Sequence, residues 1–293
     1  MLNPPIRIGN ATVRRVEEMR ASMPLAMFNL SEAQIESQTH WLFPHWADRA
    51  TMTWDMVVQS WLLEVDGRIV VIDPCVGNGR HLPHFALFDN LDTPFLERFE
   101  ATGVRPHEVD AVFCTHLHSD HCGWNTHLRD GRMVPTFPNA RYYLSQSEVD
   151  RWDPRRPGHN DVPENAGIFA ASVLPIIEAG LAELIPDDFQ ISPSLTVEPA
   201  HGHTLGHTAL HLFSAGAHGW FTGDVFHHPI ELLLPEIDAG TCEDYPGTVA
   251  TRRRIIDRLV ATAGVILPAH FVEPHCGWMR ETGGVRRFEP YTP

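Results

Sequence analysis

Three histidines and an aspartate crowd into one short run, CTHLHSDHCGWN, as His116, His118, Asp120 and His121. Imidazole nitrogen and carboxylate oxygen are the ligand types that suit zinc and similar divalent ions. The run directly follows VDAVFCT, which reads as a buried strand. Alternate side chains share a face only within a strand, so a loop must aim these four at one place. Such a loop needs further ligands, and three candidates stand at similar places. His203 lies in AHGHTLGH after SLTVEPA, Asp224 ends GWFTGD, and His270 ends VILPAH. Each follows a β-type run, and strand ends of an α/β sheet converge on one edge, where ligands bind. Structural zinc sites are closed, four-coordinate and mostly cysteine-rich. Seven nitrogen and oxygen ligands without a cysteine point instead to a catalytic site.

Other elements must position this set. SWLLEVDGRIVVIDP reads as a hairpin turning at Asp66-Gly67, the dipeptide suited to a type I′ turn. ATVRRVEEM reads as a short strand. Ser31 followed by Gln34 suits a capping box for a helix through SEAQIESQ. TPFLERFEATGV reads as a short helix with a glycine stop, ARYYLS as a strand, and SEVDRW as the start of a helix. SLTVEPA, HTALHLFS and GWFTGD continue the strands. In TVATRRRIIDRLVATAG, Ile255, Ile256, Leu259 and Val260 share one helical face and arginines the other. VILPAH reads as the last strand. The segment from His40 to Trp61 holds four of the eight tryptophans, as core or dimer contact or as an apolar rim around a pocket. DPRRPGHNDVP, residues 153–163, reads as a surface loop or lid. No repeat or linker divides the chain, so residues 1–293 are expected to form one domain.

At 293 residues and 43% hydrophobic composition the chain can bury a sizeable core. A formal charge of −15 argues against nucleic acid as partner. All 22 basic residues are arginine, so Schiff-base chemistry, which needs a lysine amine, is excluded. Five cysteines without a CxxC pair argue against a disulfide framework and suggest a reducing compartment. The N-terminus has no signal-like apolar region and no apolar run is long enough to span a membrane. The expectation is a cytoplasmic protein without membrane contact. No GxSxG elbow, P-loop or GxGxxG competes with the metal reading.

THLHSDH, GHTLGH, TGD and PAH, in this order and at these spacings, resemble the metallo-β-lactamase superfamily from about Ser60 to His270. The resemblance implies an α/β fold, a four-layer αββα sandwich, and a dinuclear site. It implies that one metal takes His116, His118 and His203, the other Asp120, His121 and His270, and that Asp224 bridges them. Zinc is the first expectation for the two divalent ions, with iron, manganese and cobalt also compatible. No cysteine stands at the bridging position, unlike the lactamase branches with a cysteine ligand. The chain runs only 23 residues past His270, without the C-terminal helical domain of glyoxalase II. Residues 1–59 read instead as an N-terminal extension packing near the active-site mouth. The branch it most resembles is that of the N-acyl homoserine lactonases and methyl parathion hydrolase. Those lactonases typically carry a tyrosine three residues after the bridging aspartate, and here His227 stands there.

The resemblance implies a metal-dependent hydrolase in which a metal-bridging hydroxide attacks a lactone or other ester carbonyl. Asp120 and Asp224 are candidates to relay a proton to the leaving group, and His227 to contact the carbonyl. The expected partner is a small apolar ester or lactone, and the aromatic extension suits a homodimer. The alternatives are an organophosphate or aryl-ester hydrolase and a mononuclear-iron sulfur dioxygenase. His207 reads as a support rather than a ligand, Cys114 and Cys122 as packing thiols, and Trp124 as a pocket wall or a packing residue.

Overall fold

The computed structural model describes residues 4–157, 159 and 162–292. The first sheet is built from β1 (Ile6–Ile8), β2 (Ala11–Pro24), β3 (Thr53–Val65), β4 (Arg68–Ile72), β5 (Ala111–Phe113), β8 (Arg141–Ser145) and β9 (Ala182–Ile185), in that spatial order. The second runs β10 (Gln190–Ser192), β11 (Leu195–Pro199), β12 (Thr208–Ser214), β13 (Ala217–Gly223), β14 (Val265–Pro268), β15 (Gly277–Thr282) and β16 (Val285–Pro290). A small hairpin, β6 (Thr126–Arg129) and β7 (Arg132–Pro135), stands apart. The helices are α1 (Glu32–Leu42), α2 (Phe95–Glu100), α3 (Ser119–Cys122), α4 (Gln146–Trp152), α5 (Leu174–Glu178), α6 (Ile230–Leu233) and α7 (Tyr245–Thr262).

Period-two alternation makes the sandwich. Along β4 and β5, Val70, Ile72, Ala111 and Phe113 face a core they share with Leu195, Val197, Leu210, Leu212, Phe221 and Leu267 of the second sheet. Val71 and Val112, one residue out of phase, join Phe95 and Phe99 of α2 in the outer core. In the second sheet Trp220 and Ile266 face outward with Ile255, Ile256 and Leu259 of α7. The layers are therefore helix, sheet, sheet, helix.

The turn chemistry follows the local sequence. Asp66 and Gly67 have φ of 53° and 70°, the two positive values a type I′ turn requires. Ser31 and Gln34 form a full capping box on α1.

The structure corrects one expectation and chooses between two others. VILPAH is not the last strand, because β15 and β16 follow, joined at Gly283-Gly284 with φ of 60° and 78°. Only Phe288 of β16 is buried, so this strand has no hydrophobic alternation to announce it. The tryptophan-rich segment is core: Trp46, Trp54 and Trp61 are buried, and Trp41 stacks on Trp46 with ring centroids 5.7 Å apart. Before residue 60, β2 pairs with β3 over almost its whole length within the first sheet. Of the 153–163 loop, residues 158, 160 and 161 lie outside the described residues. No helix of the described residues is long and apolar enough to cross a membrane.

Candidate metal centre

The loop after β5 leaves the sheet at Cys114 and turns into α3. A buried carboxylate shapes the turn. Asp73, just beyond β4, accepts hydrogen bonds from the Thr115 amide (2.7 Å) and hydroxyl (2.9 Å). The Thr115 hydroxyl proton is thereby committed to Asp73, so its oxygen accepts from His116 Nδ1 at 3.1 Å. That leaves His116 Nε2 with its lone pair towards the site. His270 is set likewise, donating from Nδ1 to the Val57 carbonyl at 2.8 Å and turning Nε2 inward. Gly223 (φ 47°), before Asp224, is where β13 meets this loop. A Cβ there would lie 2.4 Å from Thr115 Oγ1 and 2.8 Å from His207 Nε2.

These elements bring all seven candidate ligands together, in two groups that share Asp224 as a neighbour. His118 Nδ1 lies 3.0 Å from both His116 Nε2 and His203 Nε2. Asp224 Oδ2 is 3.4 Å from His203 Nε2 and 3.9 Å from His116 Nε2. The other oxygen, Oδ1, is 3.1 Å from His121 Nε2 and 3.0 Å from His270 Nε2. Asp120 completes the second group, 3.7 Å from His121 Nε2 and 3.6 Å from His270 Nε2. Ligands about 2.0–2.1 Å from a tetrahedral ion sit roughly 3.3 Å from one another, and the observed separations cluster around that spacing. His121 Nε2 and Asp224 Oδ1 are buried without a hydrogen-bond partner, an arrangement costly in itself and relieved by a cation. Each group is a donor set that could hold a metal ion.

Burial pushes the His116 and His203 imidazoles well below their ordinary range and His118 down to about 4, keeping them neutral as ligands must be. Burial would raise Asp224, but His121, His270 and His227 outweigh it and hold the carboxyl well below the usual range. His227, also buried, would fall, yet Asp224 and Glu231 beside it lift it to about 10. Its Nε2 is 3.3 Å from Asp224 Oδ2. A cation on Asp224 would compete for that same carboxylate.

Sequence reasoning missed the carboxylates behind the ligands. Glu148 of α4 is fully buried and accepts from the Leu117 amide (2.9 Å), Trp152 Nε1 (2.9 Å), the Gly206 amide (3.0 Å) and the Thr204 hydroxyl. It thus ties together the two loops that carry His116, His118 and His203. Asp73 lies 3.1 Å from His121 Nδ1. Asp73 ends a strand in VIDP just as Asp224 does in TGD, a signal that was present; Glu148 carries none. His207 is a support, its Nε2 accepting from the Asp224 amide at 3.2 Å. Cys114 and Cys122 are buried thiols. Trp124 packs under the loop, stacked on Phe95 and donating to Glu18.

His118 and His203 of the first group, Asp120 and His270 of the second, and Asp224 form the floor of a cavity of about 560 Å³. Its wall is apolar and rich in thioether: Met23, Met27, Met56, Phe85, Phe88 and Trp152. His227 also lines it, and so does Cys242.

The model of the metallo-beta-lactamase superfamily matches residues 53–270. The chain belongs to that superfamily. The family fold implies divalent metal binding, and the His/Asp floor fits it. The chain is a metal-dependent hydrolase by family. No curated protein matches the sequence. Among solved structures it is similar to AidC, a dizinc quorum-quenching lactonase in complex with a product, N-hexanoyl-L-homoserine. That likeness has 18% identity and a TM-score of 0.76, covering 99% of this chain and 97% of that one. It is also similar to the hydrolase AbOPH (22%, TM-score 0.79, 98% and 97%) and to a probable metal-dependent hydrolase from Staphylococcus aureus (17%, 0.71, 90% and 91%). At these identities the likeness concerns the superfamily fold, which the three structures share along nearly their whole length.

Proposed function

We propose that the protein hydrolyses a lactone or related apolar ester with two divalent metal ions, zinc foremost. One observation carries the reading: Asp224 turns Oδ2 to His116 and His203 and Oδ1 to His121 and His270, at the floor of an apolar cavity. A pair of ions bound there supplies a water acidified to near neutrality and a Lewis acid for the substrate oxygen.

The side chains do the rest. His116, His118 and His203 hold one position, Asp120, His121 and His270 the other, and Asp224 joins them. The methionine and phenylalanine wall takes the apolar part of the substrate and keeps bulk water from the reacting carbonyl. His227 stands where lactonases of this superfamily carry a tyrosine, and hydrogen-bonds the carbonyl oxygen. Asp120 is the least buried of the two carboxylates and reaches the cavity. It would relay the proton given up by the attacking water to the leaving oxygen when the ring or ester opens.

A phosphotriester or aryl ester is the second reading. The replacement of tyrosine by His227 supports it, because the tyrosine contact typical of lactonases is missing. A single-iron sulfur dioxygenase would leave part of the seven-ligand set unused, and metal stoichiometry separates it. The experiment is proton release from metal-loaded protein against lactones graded from short γ-lactones to long-chain N-acyl homoserine lactones. Turnover abolished by a chelator is the expected outcome. Silence across the panel, in protein holding two metals per chain, would sink the lactone reading in favour of phosphotriesters and aryl esters.

A further inference from the structure

An ion pair lies behind the cavity wall, unused by the chemistry above. Glu231 of α6 and Arg252 of α7 are both fully buried and bonded to each other. Such a pair adds little net stability, since desolvation of two charges offsets their attraction. What this one holds is a stretch of backbone. Glu231 Oε2 accepts from the amides of His227 and His228, the latter at 3.0 Å. Its Oε1 lies 3.6 Å from His227 Nδ1. Arg252 donates from Nε to the Val225 carbonyl (2.9 Å) and from Nη1 to those of Ile237 (2.7 Å) and Pro235 (3.3 Å). One guanidinium therefore grips both ends of the 225–237 segment, and its carboxylate partner grips the middle. The segment starts directly after Asp224 and carries His227 into the cavity.

We propose that Glu231, fixed by Arg252, is a positioning residue that sets His227 for its contact with the substrate. The proposal rests on the role given to His227 above. Glu231 touches no reacting atom. It accepts hydrogen bonds from the His227 and His228 amides and faces the inner edge of the His227 ring, so the outer edge is presented to the cavity in one orientation.

The test is a double-mutant cycle with a spectroscopic arm. Glu231→Gln keeps the shape and removes the charge. It is expected to lower kcat about tenfold, with KM within about twofold and metal content unchanged. In a His227→Ala background the same change is expected to cost under about twofold. Arg252→Lys, which keeps the charge but loses the fork to the carbonyls, is expected to behave the same way in both backgrounds. Equal losses with and without His227 would overturn the proposal. The second arm is the His227 ring resonance in 15N-histidine-labelled protein, identified by its disappearance in His227→Ala. Glu231→Gln is expected to shift it, and an unmoved resonance would also overturn the proposal. If the wild type turns over no ester, the functional reading has failed, and the resonance still decides the positioning.

Discussion

The two ligand groups at the cavity floor are held by different means. His116, His118 and His203 come from two loops on different sheets, and Glu148 knots those loops together through three hydrogen bonds. Asp120, His121 and His270 have no common knot. His121 leans on Asp73, while His270 is fixed by the Val57 carbonyl of β3. Glu148 thus joins the two loops of the first group, while Asp73 serves both groups, through Thr115 to His116 and directly beside His121. The difference teaches that two adjacent positions can differ in how easily each is lost.

Asp224→Ala removes the residue common to both groups and is the severest test. It is expected to cost about a thousandfold or more in activity and to deplete both metals, as read by kinetics and elemental analysis. Full metal content in that variant would break the shared-carboxylate geometry outright. Next come the braces. Glu148→Gln is expected to weaken binding at the first position by about 10–100-fold. Asp73→Asn, which reaches His116 through Thr115 as well as His121, is expected to weaken both positions. Stepwise chelator titration followed by elemental analysis distinguishes the two variants. If Asp73→Asn loosens only one ion, Asp73 does not serve both positions. The wall is subtler. Met27→Ala is expected to raise KM by a few-fold for long-chain substrates with kcat nearly unchanged, since a lost apolar contact is worth about 1–3 kcal/mol. An equal effect on short substrates would show that Met27 does not meet the chain. The smallest effect concerns Arg20, which pairs with Glu17 and with Glu273, close after His270. These side chains are partly exposed, so Arg20→Ala is expected to cost less than about 1 kcal/mol. The cost should shrink in high salt, as monitored by denaturant unfolding.

The candidate ligands were legible in the sequence because strand ends are. A run of apolar residues that stops at a small residue and then presents His or Asp marks a sheet edge, and His203, Asp224 and His270 share that mark. The hairpin at Asp66-Gly67 was legible because its turn type admits few residues. The braces were hidden. Glu148 sits in SEVDRW, which reads as the polar start of a helix, and only tertiary packing of α4 against both ligand loops buries it. Glu231 lies in an apolar stretch, HHPIELLLP, where a lone acid is a warning of a buried partner, but nothing near it in sequence names Arg252. Strand β16 was invisible because its outward residues are arginine and glutamate and only Phe288 faces inward.

That last strand has a further consequence. Open sheets expose rows of unpaired amides and carbonyls at their margins, where another polypeptide can add itself. Here the margins are poor templates. β1 and β10 have three residues each, the pairing of β10 shifts register, and β9 has four. β16 is longer, but it carries Arg286, Arg287 and Glu289 and ends in Pro290, which lacks an amide to donate. Short strands, a register shift, charge and a proline thus disfavour strand addition at these margins.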